Sequence, residues 1–370
     1  MAKRQRTMES LALNELFGGA YADRSVLVTG HTGFKGSWLC LWLASLGARV
    51  TGLALAPETR PSHWSLLELD SVTDLRVDLR DHDAVRKTLE KVKPEIVFHL
   101  AAQPLVRRSY REPTATFETN VQGLVNLLEA VRVAQSVQVL INATTDKVYL
   151  DHDGDTAYRE EHPLGGHDPY STSKACAELV TECYRKSFFG ESGPRVATAR
   201  AGNVIGGGDW SEDRLVPDLV RAACVGNTLK IRNPDAVRPW QHVLEPLSGY
   251  LQLGQNLLSS NIAEGPWNFG PASEATLPVQ ALVSELQKHW PGLHSEHQPG
   301  PHPHEAKALR LDCSKAARLL GWRGLWNAEE TLHHTASWYR AFYEDGRLNS
   351  SNDLHDYVTD ARATGMGWAA

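Results

Sequence analysis

Short, unbroken apolar runs recur along the first half of the chain: Val26-Leu27-Val28, Val50 to Leu55, Ile96 to Leu100, Val137 to Ile141 and Val196 to Ala199. Polar residues do not alternate through them, which is the signature of strands covered on both faces, as in a parallel sheet. Between the runs lie stretches with helical spacing, near residues 35–46, 81–92, 113–133 and 169–189. Strand alternating with helix from Ser25 to about Arg200 predicts a doubly wound α/β domain of Rossmann type.

Past Gly202 that rhythm breaks. Gly206-Gly207-Gly208, Pro217, Pro234, Pro239 and Pro246 punctuate short segments, Pro291 to Pro303 reads as a loop, and Leu309 to Tyr343 reads as mostly helical. The organisation expected is therefore a lead-in over 1–24, partly helical around Leu11 to Phe17, and a dinucleotide-binding domain over 25–200. A smaller C-terminal substrate-binding lobe over 201–345 follows, with chain crossing back to the first domain, and then a tail over 346–370.

At 370 residues and 42% hydrophobic content the chain can bury a substantial core. A formal net charge of -6 argues against nucleic acid or an acidic membrane surface as a partner. No stretch approaches the ~20 apolar residues of a membrane span. Five cysteines without a Cys-x-x-Cys pair suit a reducing cytoplasm; Cys176 and Cys183 lie too far apart on one helix to bridge.

Two segments carry chemistry. Gly30-His31-Thr32-Gly33-Phe34-Lys35-Gly36 joins the first strand to a helix, so its backbone can approach a pyrophosphate at the helix N-terminus. Phe34 and Lys35 belong to the same turn. Asp78, before Leu79, is placed to bond an adenine amino group, whereas Asp81 better suits a helix cap. The acidic residue that would hold the ribose diol is not evident: Glu58 follows Pro57, and Thr59 with Arg60 would instead suit a 2′-phosphate, leaving NAD favoured over NADP. The second segment is Thr145-Asp146-Lys147, followed by Tyr170-Ser171-Thr172-Ser173-Lys174. Tyr170 and Lys174 are one helical turn apart, so an ammonium can favour the phenolate and let tyrosine take an alcohol proton. Asp146 and Lys147 can converge only where the strand has ended, since strand neighbours face opposite ways; otherwise they read as a helix cap beside a solvated lysine.

Together these residues resemble the extended short-chain dehydrogenase/reductase family, especially its sugar-nucleotide branch, over about residues 20 to 345. His99-Leu100-Ala101-Ala102-Gln103, Asn120-Val121-Gln122-Gly123, Asp312-Cys313-Ser314-Lys315 and Leu320-Gly321-Trp322 also look like that branch. Five segments are closer still to its 4,6-dehydratases acting on CDP-glucose: Thr29 to Trp38, Thr145 to Lys147, Gly165 to Tyr170, Gly206 to Trp210 and Arg238 to Val243. The resemblance implies a bound NAD held by Gly30, Gly33, Phe34, Lys35, Gly36, Asp78, Leu79, Ala101, Ala102, Asn120, Tyr170 and Lys174. It also implies a CDP-glucose substrate, a place in deoxysugar or O-antigen synthesis, and a homodimer joined through helices.

The implied reaction oxidises a hexose at C4, removes water across C5 and C6, and reduces C6. Tyr170 would take the C4 hydroxyl proton, with its pKa lowered by Lys174, and Thr145 would bond the C4 oxygen. Asp146 would protonate the departing C6 hydroxyl, which requires burial to raise its pKa. Lys147 stands where related 4,6-dehydratases carry a glutamate; it would act as the C5 base when neutral or stabilise the enolate when charged. Arg238 is the first candidate for the substrate diphosphate, with Arg232 and Arg214 as alternatives. Asn203 and Asn268 are expected on the nucleotide sugar, and Trp210 or Trp240 on the base. His302-Pro303-His304-Glu305 and His333-His334 are not expected to hold a metal. A 4-epimerase, a reductase or a non-catalytic cofactor sensor remain as alternatives.

Overall fold

Apolar strands line up, all parallel, into one seven-stranded sheet. The computed structural model describes residues 13–151, 157–190, 193–271, 276–298, 300 and 310–370. In chain order its main elements are β1 Ser25–Thr29, α1 Phe34–Ser45, β2 Arg49–Ala54, β3 Thr73–Arg76, α2 His82–Val92, β4 Ile96–His99, α3 Gly123–Val133 and β5 Val139–Ala143. They continue with α4 Pro169–Tyr184, β6 Arg195–Ala201, α5 Leu215–Cys224, α6 Leu244–Ser259, β7 Gly265–Phe269, α7 Val279–His289, α8 Ala328–Asp345 and α9 Ser350–Ala363. The sheet order is β7-β6-β5-β4-β1-β2-β3. Val26 of β1 sits opposite both Val50 and Ile96, so chain order reverses direction between β1 and β4.

The missing polar alternation has its cause in two hydrophobic layers. Val26, Val28, Ile96, Phe98, Val139 and Ile141 point into one layer with Trp38 and Trp42 of α1 and Leu247 and Leu251 of α6. Their neighbours Leu27, Leu53, Val97, Leu140 and Val196 point into the other, with Leu89 of α2, Leu124 and Leu128 of α3 and Ala177 of α4. In β1, β4 and β5 every residue is thus buried whichever way it faces.

Three elements escape the sequence pattern. β3 is an edge strand with exposed Thr73, Asp74 and Arg76, so it carries no apolar run. β7 lies beyond residue 201 yet pairs in parallel with β6, completing the sheet. The expected tail is instead built into the fold: Leu354, Tyr357, Val358 and Ala361, at helical spacing, bury one face of α9. At the other end, Leu11 and Ala12 of the expected lead-in helix lie outside the described residues. Leu16–Gly19 forms a 3-10 turn whose Phe17 stacks on Trp368, with ring centroids 5.0 Å apart. The His302-Pro303-His304-Glu305 segment also lies outside the described residues. His333 and His334 face different ways, His334 onto Asp353 at 3.0 Å and His333 toward His289.

Candidate active site

A cavity of about 1030 Å³ opens at the carboxyl ends of β1, β4, β5 and β6, beside the switch in strand order. That is where open α/β sheets take their ligands, because the loops on either side of the switch diverge. The volume lies at the upper end of the range for small-molecule pockets.

The turn after β1 forms one wall. Gly30 has φ +75°, and a Cβ there would lie 2.6 Å from the backbone nitrogen of Ala101. A Cβ on Gly36 would lie 2.1 Å from the Gly30 carbonyl oxygen, so α1 can approach the turn only with glycine at that position. Gly33 faces the cavity, and α1 begins directly after it. This cradle of bare backbone at a helix N-terminus fits a dinucleotide pyrophosphate. Phe34, Lys35, Asp78, Leu79, Ala101 and Ala102 line the same wall. Both Asp78 oxygens accept from Arg80, which holds that carboxyl below its usual range. Asp81 caps α2 by accepting from the Ala84 N–H. At the end of β2 the wall is Leu55, Ala56, Glu58 and Thr59, without Arg60, and the Glu58 carboxylate accepts from Arg108 at 2.8 Å.

Opposite lies the α4 wall. Asp168 caps the helix by accepting from the Ser171 N–H at 2.9 Å, which fixes Tyr170 in the first turn. Lys174 is one turn on, and its ammonium donates to the Ala143 carbonyl, at the end of β5, at 3.1 Å. Burial lowers Lys174 to about 8 and pushes the Tyr170 phenol up to about 12. Burial acts most strongly on the phenol, and a hydrogen bond with Thr145 and the charge of Arg214 partly offset it, while the Lys174 ammonium meets the Ala143 carbonyl.

β5 ends at Ala143, and Asp146–Val148 forms a 3-10 turn capped by Thr145. That turn brings Asp146 and Lys147 to one side, as the sequence reading required. Lys147 Nζ stands 3.4 Å from Asp146 Oδ1, and the Thr145 hydroxyl donates to the same oxygen at 3.0 Å. Asp146 Oδ2 is buried without a partner, and so is Asn203 Nδ2. Both residues line the cavity, as do Arg232, Arg214, Arg238, Trp210 and Trp240. Arg214 is held by Asp209 at 2.9 Å, and Arg238 donates to the Val237 carbonyl at 2.9 Å.

Two expected ligand contacts are not brought to the cavity. Asn268 is fully buried, bonded through its side chain to Tyr149, Tyr158 and Asp312. Asn120 accepts from the Gln103 N–H and donates to Ser173, bracing α4 from behind. Sequence reasoning also missed the support under the Thr145 turn. Glu178, one turn beyond Lys174, accepts from Thr144 and Thr198 and pairs with buried Arg200 at 2.9 Å. Arg200 donates to Tyr149 at 2.8 Å. The four-residue spacing Tyr170, Lys174, Glu178 was the available signal. Among the described residues there is no cluster of three metal-ligating side chains, and no helix long and apolar enough to cross a membrane.

With this geometry in view, a family model described as GDP-mannose 4,6 dehydratase matches residues 27–335. The CDP-glucose 4,6-dehydratase of Salmonella typhimurium is 46% identical over 350 residues, 92% of this chain and 97% of that protein. The Thermus thermophilus UDP-glucose 4-epimerase, solved in complex with NAD, superposes with a TM-score of 0.74 at 28% identity, covering 85% of this chain and 98% of that one. A Streptomyces venezuelae dTDP-glucose 4,6-dehydratase, solved with NAD, gives 0.73 at 25% identity over 87% and 99%.

Proposed function

Because this chain belongs to the GDP-mannose 4,6-dehydratase family of extended short-chain dehydrogenases, we propose that it converts CDP-D-glucose to CDP-4-dehydro-6-deoxy-D-glucose, with NAD as its cofactor. The observation that carries this reading is the meeting of Asp146 and Lys147 in the cavity that also holds Tyr170. A 4-epimerase needs a proton acceptor at the C4 hydroxyl; only dehydration needs a further pair to move a proton from C5 to a departing hydroxyl. A non-catalytic sensor would have no use for either.

Bound NAD supplies a reversible acceptor for the C4 hydrogen with its electron pair, which is returned at C6. Tyr170 takes the C4 hydroxyl proton, held in place by the Asp168 cap and the Thr145 hydrogen bond. Thr145 then bonds the C4 carbonyl oxygen, whose electron demand acidifies C5–H. Lys147 lifts that proton and gives it back to C5 when C6 is reduced, and Asp146, 3.4 Å away, delivers one to the C6 oxygen, which leaves as water. Lys174 and the glycine turn orient the dinucleotide, and Arg238 and Asn203 face the nucleotide sugar. The 25–200 part supplies the dinucleotide wall and the α4 wall, and residues of the 201–345 part, Asn203, Arg214, Arg232 and Arg238 among them, line the rest of the cavity.

We place the enzyme in the cytoplasm, where nucleotide sugars are made, in deoxysugar synthesis for surface polysaccharide such as O-antigen. Homodimerisation is supported by exposed Val133, Leu179 and Phe188 on and beside α3 and α4, apolar side chains that a second copy would cover. The decisive test supplies CDP-glucose carrying deuterium at C4 to the purified protein. Label at C6 of a 4-keto-6-deoxy product supports the reading; a C4 epimer without that product overturns it in favour of an epimerase.

A further inference from the structure

The turn that carries Thr145, Asp146 and Lys147 is tied down at both ends to one buried ion pair. Before it, the Thr144 hydroxyl donates to Glu178 Oε1 of α4. After it, the Tyr149 hydroxyl accepts from Arg200 Nη1 of β6 at 2.8 Å and donates to Asn268 Oδ1 of β7 at 2.7 Å. Glu178 and Arg200 join the two ends by pairing with each other, at 3.0 and 2.9 Å. Thr198, two residues before Arg200 and so on the same face of β6, donates to the same carboxylate. Glu178 also lies on the α4 face of Tyr170 and Lys174, and Lys174 meets Ala143, the residue before Thr144. The pair therefore fixes the turn relative to the helix that bears the proton acceptor.

A buried ion pair is a poor way to gain stability, since apolar side chains of the same volume often do as well or better. What a fully bonded pair adds is direction: its partners hold a segment in one place where an apolar contact would let it slide. In the dehydratase reading, on which this inference rests, Tyr170 acts at C4, Lys147 at C5 and Asp146 at C6. C4 oxidation draws chiefly on α4, whereas water loss needs α4 and the turn in register. We propose that Glu178 and Arg200, gripping Thr144 and Tyr149, are positioning residues for water loss. They hold Lys147 and Asp146 against C5 and C6 of a sugar that Tyr170 has fixed at C4.

The double variant Glu178→Leu with Arg200→Met separates positioning from stability, because it removes the clamp without stranding a charge. Its urea midpoint and its KM for CDP-glucose should stay near those of wild type. Its kcat should fall by about 10–100-fold, the effect of a displacement of about 1 Å. NADH absorbance should rise on mixing with CDP-glucose, because C4 oxidation proceeds while water loss lags. Tyr149→Phe, which removes one hydroxyl from the clamp, should show the same split in smaller measure. Thr144→Val should slow turnover, and Thr144→Ser, which keeps the hydroxyl, should restore it. Wild-type kcat in the double variant, or slow turnover without the NADH rise, overturns the proposal and leaves the dehydratase reading standing. A wild-type enzyme that carries no C4 label to C6 overturns both. Should the double variant not fold, Tyr149→Phe and the two Thr144 variants decide by the same readouts.

Discussion

Glu178→Ala is the substitution whose cost the structure sets most directly. Glu178 and Arg200 have side chains 4% and 3% exposed, so water cannot replace either partner. Glu178 accepts from Arg200 Nε at 3.0 Å and Nη2 at 2.9 Å, and from the hydroxyls of Thr144 and Thr198. After truncation, Arg200 keeps hydrogen bonds to Tyr149 and to the Glu160 carbonyl, both neutral, and loses the carboxylate that pairs with it directly. Breaking one side of such a buried pair costs about 3–5 kcal/mol, a large share of the ~5–15 kcal/mol that holds a domain together. Replacing both partners with apolar groups removes the stranded charge, so Glu178→Leu with Arg200→Met should recover most of the loss. Urea unfolding, followed by far-ultraviolet circular dichroism and by tryptophan fluorescence, measures all the variants. A cost below about 1 kcal/mol for Glu178→Ala, or costs that simply add in the double variant, would refute the reasoning.

Three further outcomes follow from the site and the core. Tyr170→Phe should lower turnover by about 10²–10⁴-fold while NAD still binds; near-normal turnover would remove its role as proton acceptor. Lys147→Met should abolish water loss, with any residual C4 oxidation visible as trapped NADH absorbance, whereas Lys147→Glu should retain some turnover with its pH optimum moved downward; a fully active Met variant rules out both roles for Lys147. Acid should destabilise the protein. Burial holds His63 and His99 near 3 and His242 well below its usual value, so only the unfolded chain takes their protons below about pH 6.5. From pH 6.5 to 5, His63 and His99 together cost about 3 kcal/mol, and His242 adds to that cost. Glu245, raised to about 7, and Asp353, raised to about 6, bind protons in the fold and return about 3 kcal/mol over the same range. With His242 tipping the balance, a net loss of stability in urea unfolding is expected, and equal or higher stability at pH 5 contradicts it.

The sheet was legible because doubly covered strands leave unbroken apolar runs, and five of its seven strands announce themselves in that way. β3 could not, since an edge strand facing water needs no apolar side chains. β7 could not be assigned to the sheet because the more than sixty residues since β6 erase any local rhythm. At the site, fixed spacings spoke for Tyr170 with Lys174 and for the glycine turn, because helix periodicity and backbone approach are local requirements. Asn268 and Asn120 sit behind the cavity wall, which the sequence could not show because a buried amide and a ligand-binding amide are the same letter; only the surrounding partners tell them apart. The direction of the Lys174 ammonium, toward Ala143 rather than the phenol, depends on where β5 ends relative to α4. No spacing along one helix encodes that.

The stacking of Phe17 on Trp368 bears on how the molecule is made. Trp368 also lies edge-on to Trp42 in α1 and stacks on Tyr357 in α9, so one indole closes a seam between the earliest and latest parts of the sequence. Loss of that one indole would strip Phe17, Trp42 and Tyr357 of a shared ring partner and leave the seam gaping, its aromatic rings open to solvent and proteases, although every strand of the sheet would still be present.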